Sequence, residues 1–419
     1  MSSDFDIVVV GGGLAGACAA ALLARHGGVQ PQRIALLASE TVAPAGAADA
    51  PPDLRVVAIS RASERVLRAC DAWRRLNQAR LCPYERMRVW HESSTADGAA
   101  ALCFDAADIG EPNLGFIAEN NALLRACIDS FTEVGGVLIT GELLGVTVSG
   151  QSAQLTCSAG SGLSARLVVG ADGAQSLVRE SAGVAVRTRD YRQRAIVATV
   201  RTGRSHENTA WQRFLRSGPL AFLPLFDASS SIVWSVDDAL SQQLSECSDA
   251  EFNQRLEAAS DSVLGSITLV SERPSFALRS MVAQTYIAPR CALIGDAAHV
   301  IHPLAGQGAN LGLLDAAALC EAVAAGTAQR EDPGARRVLL GYEQQRRTHN
   351  LFMDAAMSAL HSGFGVTRGP AAWLLNRGLA AVNRSSALKR AFARQALGTA
   401  GALPRLARAR IQEPASGPP

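Results

Sequence analysis

Phe5-Asp6-Ile7-Val8-Val9-Val10-Gly11-Gly12-Gly13-Leu14-Ala15-Gly16 is the stretch that decides the fold. Phe5–Val10 is all apolar after Asp6, with no alternation, which reads as a short buried strand. Ala17–Arg25 follows as a run of strong helix formers. Strand, GxGxxG and helix, in that order, is the context in which the glycine pattern carries a mechanism. Gly11 permits the tight turn, Gly13 lets the backbone approach a diphosphate, and Gly16 lets helix and strand pack closely. The helix N-terminus then offers unpaired N–H groups and the positive end of its dipole to phosphates. The alternative is a glycine-rich turn with no ligand. The order of elements favours a Rossmann-like α/β domain around a dinucleotide.

The run from Ile7 to Ala24 is also long enough, by length alone, to cross a bilayer. Four glycines interrupt it, and Asp4 and Asp6 precede it without a positive flank, so it reads as neither a signal peptide nor a membrane span. The chain has 419 residues, 48% of them hydrophobic and 19% charged, enough for two lobes with cores and too apolar for disorder. Forty basic against 38 acidic residues leave a net charge of +2, which argues against a nucleic-acid partner for the chain as a whole. Nine cysteines without a CxxC pair suggest neither a metal site nor a disulfide framework, and fit a reducing, cytoplasmic compartment.

Arg33–Leu37 reads as a second strand, whose end should present a carboxylate to an adenosine ribose. Ala38 stands at that place and Glu40 lies two residues further on; either Glu40 takes the role or the ribose finds other partners. Two later segments separate the possible nucleotides. Leu167-Val168-Val169-Gly170-Ala171-Asp172-Gly173-Ala174-Gln175-Ser176-Leu177-Val178-Arg179 reads as a buried strand, an Asp-Gly turn and a helix. Cys291–Ile294, another strand, runs into Gly295-Asp296-Ala297-Ala298-His299, and then into His302-Pro303-Leu304-Ala305-Gly306-Gln307-Gly308-Ala309-Asn310-Leu311-Gly312.

With its GxGxxG, ADGAxSxVR and GDAAH…PxAGQGxN motifs, the chain resembles the group A FAD-dependent aromatic hydroxylases, and within them the ubiquinone-biosynthesis branch. Asp53-Leu54-Arg55, Met87-Arg88-Val89-Trp90, Glu119-Asn120, Ala210-Trp211-Gln212-Arg213-Phe214 and Gly218–Leu225 carry the narrower likeness, which runs from about Asp4 to Arg347. Ala38, Arg194 and Ala277 depart from it. The resemblance implies an FAD-binding domain of the p-hydroxybenzoate-hydroxylase type with an inserted antiparallel substrate sheet and a C-terminal helical region. It implies FAD held by Gly11, Gly13, Leu14, Ala15, Gly16, Arg55, the Asp172-Gly173 turn, Gly295 and Asp296, with Asp296 on the ribityl chain. Pro303, Gly306 and Gln307 would lie near the isoalloxazine, and Gly308, Ala309 and Asn310 would cover its pyrimidine edge. No catalytic side chain is implied, because the oxygen transfer passes through a flavin C4a-hydroperoxide.

Taken singly, these residues have plainer readings. Asp172 suits an ordinary turn, His299 suits a packed histidine, and Trp211, Trp234 and Phe222 suit core beneath a sheet. With one GxGxxG and no second such unit, NAD(P)H is expected as a transient electron donor. The expected division is a flavin domain over 1–80, 105–185 and 280–355, and a substrate domain over 81–104 and 186–279. A helical arm over 356–411 and a disordered tail over 412–419 complete it.

Alternating residues in Tyr191–Arg279 predict antiparallel strands, and Trp211, Phe222, Leu223 and Pro224 are the candidate substrate contacts. That apolar set suits a polyprenyl-phenol, with O2 as co-substrate. A soluble hydroxylase of a small phenol, or an accessory flavoprotein of a biosynthetic complex, are the other readings. Between Gly363 and Arg410 there are nine basic residues and no acid. Helices with such a face predict contact with an anionic membrane surface, at the inner face of the cytoplasmic membrane; a helical cap on the flavin domain and docking to a biosynthetic complex are the other readings.

Overall fold

The computed structural model describes residues 3–39, 50–158, 160, 162–301, 307–364 and 403–408. Its first sheet is built on five mutually parallel strands in the order Cys291–Leu293, Leu163–Gly170, Phe5–Val10, Ile34–Ala38 and Val137–Thr140. Phe5–Val10 sits at the centre, in register with Leu163–Gly170 through Val10↔Gly170 and with Ile34–Ala38 through Val10↔Leu37. Parallel strands buried on both faces read as unbroken apolar runs, and Ile7–Val10 and Ile34–Ala38 are buried throughout. A hairpin, Leu143–Ser149 and Ser152–Cys157, extends the sheet antiparallel from Leu163–Gly170.

The helices among the described residues are α1 (Leu14–His26), α2 (Arg61–Ala69), α3 (Asn120–Glu133), α4 (Leu177–Ser181), α5 (Asp238–Glu246), α6 (Asp249–Ala259), α7 (Gly308–Ala328) and α8 (Arg336–Phe364). α1 is apolar nearly all round because it is buried nearly all round, packed against α3 and α7. α7 is long and apolar enough to span a membrane by composition, yet most of it is buried inside the fold, against α1 and α8. The Ile7–Ala24 run thus divides into the central strand and α1, at the glycine turn.

The second sheet has the order His299–Val300, Ser275–Ala283, Val186–Thr202, Ser230–Asp237, Gly218–Pro224, Thr209–Leu215, Arg86–His91 and Leu102–Asp105, with Ile267–Leu269 also on Val186–Thr202. All its pairings are antiparallel except that of Thr209–Leu215 with Arg86–His91. α5 and α6 cover one face around a core of Ile196, Leu220, Phe222, Ile232, Trp234, Leu244, Phe252 and Leu256. A small third sheet joins Val56–Ser60, Gly115–Glu119 and Cys82–Tyr84. Two strands cross the divisions drawn from sequence: Cys82–Tyr84 pairs with Gly115–Glu119, and His299–Val300 pairs with Ser275–Ala283.

Candidate active site

The glycines around the Val10–Leu14 turn serve different ends. Gly11 has φ +115°, and a Cβ there would come within 2.2 Å of the Ala171 carbonyl oxygen. A Cβ on Gly16 would lie 2.0 Å from the Gly11 carbonyl oxygen, so α1 rests against the turn with no room for a side chain. Gly13 is the opposite case: a Cβ would meet nothing within 4 Å, because the position faces open space. Gly13 also caps α1 without a side-chain bond, and no acid stands in the first turn. The start of α7 repeats the pattern, with open space over Gly308 and no acid in its first turn. Both helix starts border one cavity of about 1140 Å³. That exceeds the roughly 300–1,000 Å³ of an ordinary small-molecule site, and leaves room for a dinucleotide and a second ligand.

Val10, Gly11, Gly12, Gly13, Leu14 and Ala15 line this cavity with Arg55, Asp172, Gly173, Gly295, Asp296, Gln307, Gly308 and Ala309. The structure thus gathers most of the nucleotide candidates around one space. Gly16 and Asn310 are not on the lining. The Asn310 amide accepts from the Ser60 N–H at 3.0 Å and donates to the Ala58 carbonyl at 2.8 Å, tying the start of α7 to the start of α2. Glu40, Pro303 and Gly306 lie outside the described residues, as do His302, Leu304 and Ala305.

The Asp172-Gly173 turn is held by its own side chains. Asp172 accepts from Ser176 Oγ at 2.5 Å and from the Val178 N–H at 3.1 Å, and Ser176 caps α4 by accepting from the Arg179 N–H at 2.9 Å. Arg179 then donates to the Ala174 carbonyl at 2.8 Å and to the Ala297 carbonyl at 3.0 Å. The two later motifs are therefore clamped to each other. Asp296 stands at the cavity wall; burial raises its pKa, against the opposing pull of His299 and Arg55.

Arg55 is placed by a buried ion pair that the sequence reading did not single out. Arg80 donates to both Glu119 oxygens at 2.6 and 2.7 Å, and also to the carbonyls of Ala50 and Pro51. Glu119 also accepts from the Asp53 N–H at 2.9 Å, and the Asn120 N–H donates to the Arg55 carbonyl at 3.0 Å. The Glu119-Asn120 pair in the sequence is thus a clamp on the Asp53–Arg55 segment.

A larger buried network lies behind Gly295. Asp315, in α7, is wholly buried. Its carboxylate meets His299 Nε2 at 2.5 Å, Arg346 Nε at 2.7 Å, Asn350 Nδ2 at 3.1 Å and the Gly295 N–H at 3.1 Å. Burial alone would raise the Asp315 pKa, but His299 and Arg346 outweigh it and hold the carboxyl well below the ordinary range. His299 is accordingly a packed histidine, held by a carboxylate away from the cavity lining. The sequence signal was the spacing from Asp315 to Arg346 and Asn350, which is legible only once α7 and α8 are known to pack.

At the carboxyl ends of the parallel strands, Ala38 is buried, and a Cβ on Gly12 would lie 2.6 Å from the Ala38 Cβ. Gly12 therefore packs directly against Ala38, and a side chain on Gly12 would not fit over that strand end. Ser39 and Glu142 line the cavity beside it. The Gly141 N–H donates to the Ala38 carbonyl at 2.9 Å, which places Glu142 next to the vacated strand end. Glu142 follows the neighbouring parallel strand, so reading one strand at a time does not find it.

Ala221 and Leu223 of Gly218–Pro224, with Pro219, face the cavity, as do Ala210, Gln212, Val233 and Ser235. Period-two alternation turns Phe222 away, into the core beneath α5 and α6, and Pro224 is also off the lining. Of the four substrate candidates, Leu223 and Trp211 border the cavity. The Trp211 ring packs edge-on against Trp90, at 6.2 Å between centroids. The far wall comes from Tyr84, Met87, Phe104, Leu114 and Ile117. Burial pushes the Tyr84 hydroxyl pKa up to about 12.

The residues present fit FAD: an open glycine backbone and an acid-free helix start for the diphosphate, a second such start for the ring system, and Asp296 for a hydroxylated chain. Comparison with known proteins agrees. Residues 132–353 match the family model of the FAD binding domain. The chain is 34% identical to 3-demethoxyubiquinol 3-hydroxylase of Escherichia coli (strain K12), over 94% of this chain and 98% of that protein. It is 36% identical to the ubiquinone hydroxylase UbiL of Rhodospirillum rubrum, over 94% of this chain and 90% of that protein. Among solved structures, p-nitrophenol 4-monooxygenase PnpA from Pseudomonas putida superposes with a TM-score of 0.75 at 19% identity, covering 95% of this chain and 99% of that one, a likeness of fold. The glycine cradle, the clamped motifs and these relatives place the chain in the family of FAD-dependent aromatic hydroxylases, in its ubiquinone-biosynthesis branch.

Proposed function

We propose that this protein hydroxylates the aromatic ring of a polyprenylated phenol, with FAD, NAD(P)H and O2. The observation that carries the substrate class is the chemistry of the cavity wall away from the glycine cradle. Met87, Phe104, Leu114, Ile117, Pro219, Ala221, Leu223 and Val233 are apolar, and the polar groups among them, Tyr84, Gln212 and Ser235, are neutral. Arg55 is the one cation among the described lining residues, and its charge bears on Asp296. That wall offers a prenyl chain apolar surface worth roughly 25 cal/mol per Å², and offers a benzoate carboxylate no cation. The names of the relatives support the same class.

Bound FAD, reduced by NAD(P)H, supplies the activation of oxygen, one atom of which enters the ring while the other leaves as water. The chain's own residues bind and orient the reactants. Gly13 and the start of α1 would hold the diphosphate, and Gly308 and Ala309 would set N–H dipoles against negative charge on the reduced ring system. Tyr84 and Gln212 would orient the phenol hydroxyl, and the two sheets would keep water out. The test is NAD(P)H oxidation by the flavin-loaded protein with a prenylated phenol and, separately, with a small hydroxybenzoate. Coupled turnover and ring-hydroxylated product with the prenylated phenol alone is the expected result. Coupled hydroxylation of the benzoate, with the prenylated phenol inert, overturns the reading.

The nine basic residues between Gly363 and Arg410 support a peripheral place on an anionic membrane surface, where the substrate's prenyl chain resides. Flotation with phosphatidylglycerol vesicles should carry the protein, and phosphatidylcholine vesicles should not. Equal recovery from both would count against it.

A further inference from the structure

Three cysteines that the flavin chemistry does not use converge in the core of the first domain. Cys18 lies in α1, Cys70 directly follows α2, and Cys127 lies in α3. All three are 0% exposed, and their sulfur atoms lie within 4.8 Å of one another. Free cysteines often serve as small apolar filler. Here three separate helical segments deliver three sulfurs within reach of a single atom, the one such group of potential ligands among the described residues.

The surroundings fix that geometry. Ser130 Oγ donates to the Cys70 carbonyl and accepts from Arg25 Nε. Arg25 pairs in turn with Asp71 at 3.2 Å and Glu133 at 3.0 Å, so the segment carrying Cys70 is pinned to α1 and α3 from the outside. Cys70 Sγ points a bond at the Leu67 carbonyl, at 3.4 Å. Hydrogen bonding within the trio, and then burial, hold the Cys18 thiol well above its ordinary pKa.

Charge selects the occupant. Three thiolates around a divalent ion leave one net negative charge in an apolar core, and around a monovalent ion two, which burial penalises heavily. A trivalent metalloid leaves none. We propose that Cys18, Cys70 and Cys127 form a trithiol site for trivalent arsenic or its heavier congener antimony. In the binding step arsenous acid condenses with the three thiols. Three As–S bonds replace three As–O bonds, the three thiol protons leave with the three hydroxyls as water, and no atom changes oxidation state. Soft thiolates are the ligands such centres prefer. The spacing of 52 and 57 residues between the cysteines hides the site from any CxxC pattern.

Native mass spectrometry of the flavin-loaded full chain, after overnight incubation with sodium arsenite, tests this. The expected adduct gains one arsenic and loses three hydrogens per chain; a centre bound by two thiols would keep a hydroxyl and weigh more. Cys18→Ala and Cys127→Ala should each abolish the three-hydrogen adduct, and the isosteric Cys127→Ser gives the same reading if the alanine variants fold poorly. Cys103→Ser with Cys247→Ser should retain it. A wild-type chain without that adduct, or a Cys18→Ala variant that still forms it, overturns the proposal.

Discussion

Single residues in this protein divide into those that meet the cavity and those that hold the ones that do. Asp315 belongs to the second group: it touches no open space, yet it joins the Gly295 turn to α7 and α8. Asp315→Asn leaves Arg346 buried without its counter-charge, and should lower stability at pH 7 by about 3–5 kcal/mol, read from urea midpoints. Because the folded-state pKa of Asp315 is depressed, its contribution is present above the unfolded value near ~3.9 and fades as pH falls below it. The gap between wild type and Asp315→Asn should therefore narrow below about pH 4; a constant gap down to pH 3 would remove the charge argument. Glu142 and Asp296 belong to the first group. Glu142→Ala and Asp296→Ala should each weaken FAD by about 10- to 100-fold, the loss of one hydrogen bond to a charged group at ~1.5–3 kcal/mol, with the apoprotein's unfolding unchanged. Unchanged FAD affinity in the Glu142 variant would return the ribose role to Glu40 or to another group.

At the scale of elements, the glycine turn gives a cleaner experiment, because two glycines three residues apart should fail for opposite reasons. In Gly16→Ala the new Cβ meets the Gly11 backbone oxygen at 2.0 Å, which cannot move without disturbing the turn against Ala171. The apoprotein itself should lose roughly 1–3 kcal/mol, the cost of overpacking. In Gly13→Ala the backbone is extended, at φ −73° and ψ 174°, and nothing lies within 4 Å. Apoprotein stability should stay within about 0.5 kcal/mol, while flavin content after purification drops. Equal unfolding midpoints for the two variants would show that α1 does not rest on the turn. The order strand, turn and helix was legible because one short segment contains all of it. Other features were not, because they arise between segments. The close approach of Gly12 to Ala38 joins the glycine turn to the next strand, the Arg80–Glu119 clamp joins residues 39 apart, and the thiol trio needs three helices in place. Phe222 shows a related limit: an apolar strand residue has two possible faces, and only the position of α5 and α6 decides between them.

For the whole molecule, all three sheets border the cavity, and the chain closes the flavin domain by coming back to it. Leu403–Arg408 lies against α2 and α7, with Leu403 and Ala407 buried in the main core and Arg405 and Arg408 exposed. The Leu406 N–H donates to Glu321 at 2.7 Å. The basic C-terminal stretch therefore has two parts, one of which is structural. Ending the chain at Ala402 removes Arg405, Arg408 and Arg410 but keeps the other six of the nine basic residues. It also uncovers the α2–α7 surface, so it should cost at least about 2 kcal/mol, the burial of one leucine side chain, seen as a lower urea midpoint. If the anionic surface is met by the segment before residue 403, the shortened protein should still float with phosphatidylglycerol vesicles, more weakly by roughly 1 kcal/mol for each lost charge near the surface. Loss of flotation with stability intact would reverse that assignment, and make Leu403–Arg408 the membrane-facing part and not the lid on the core.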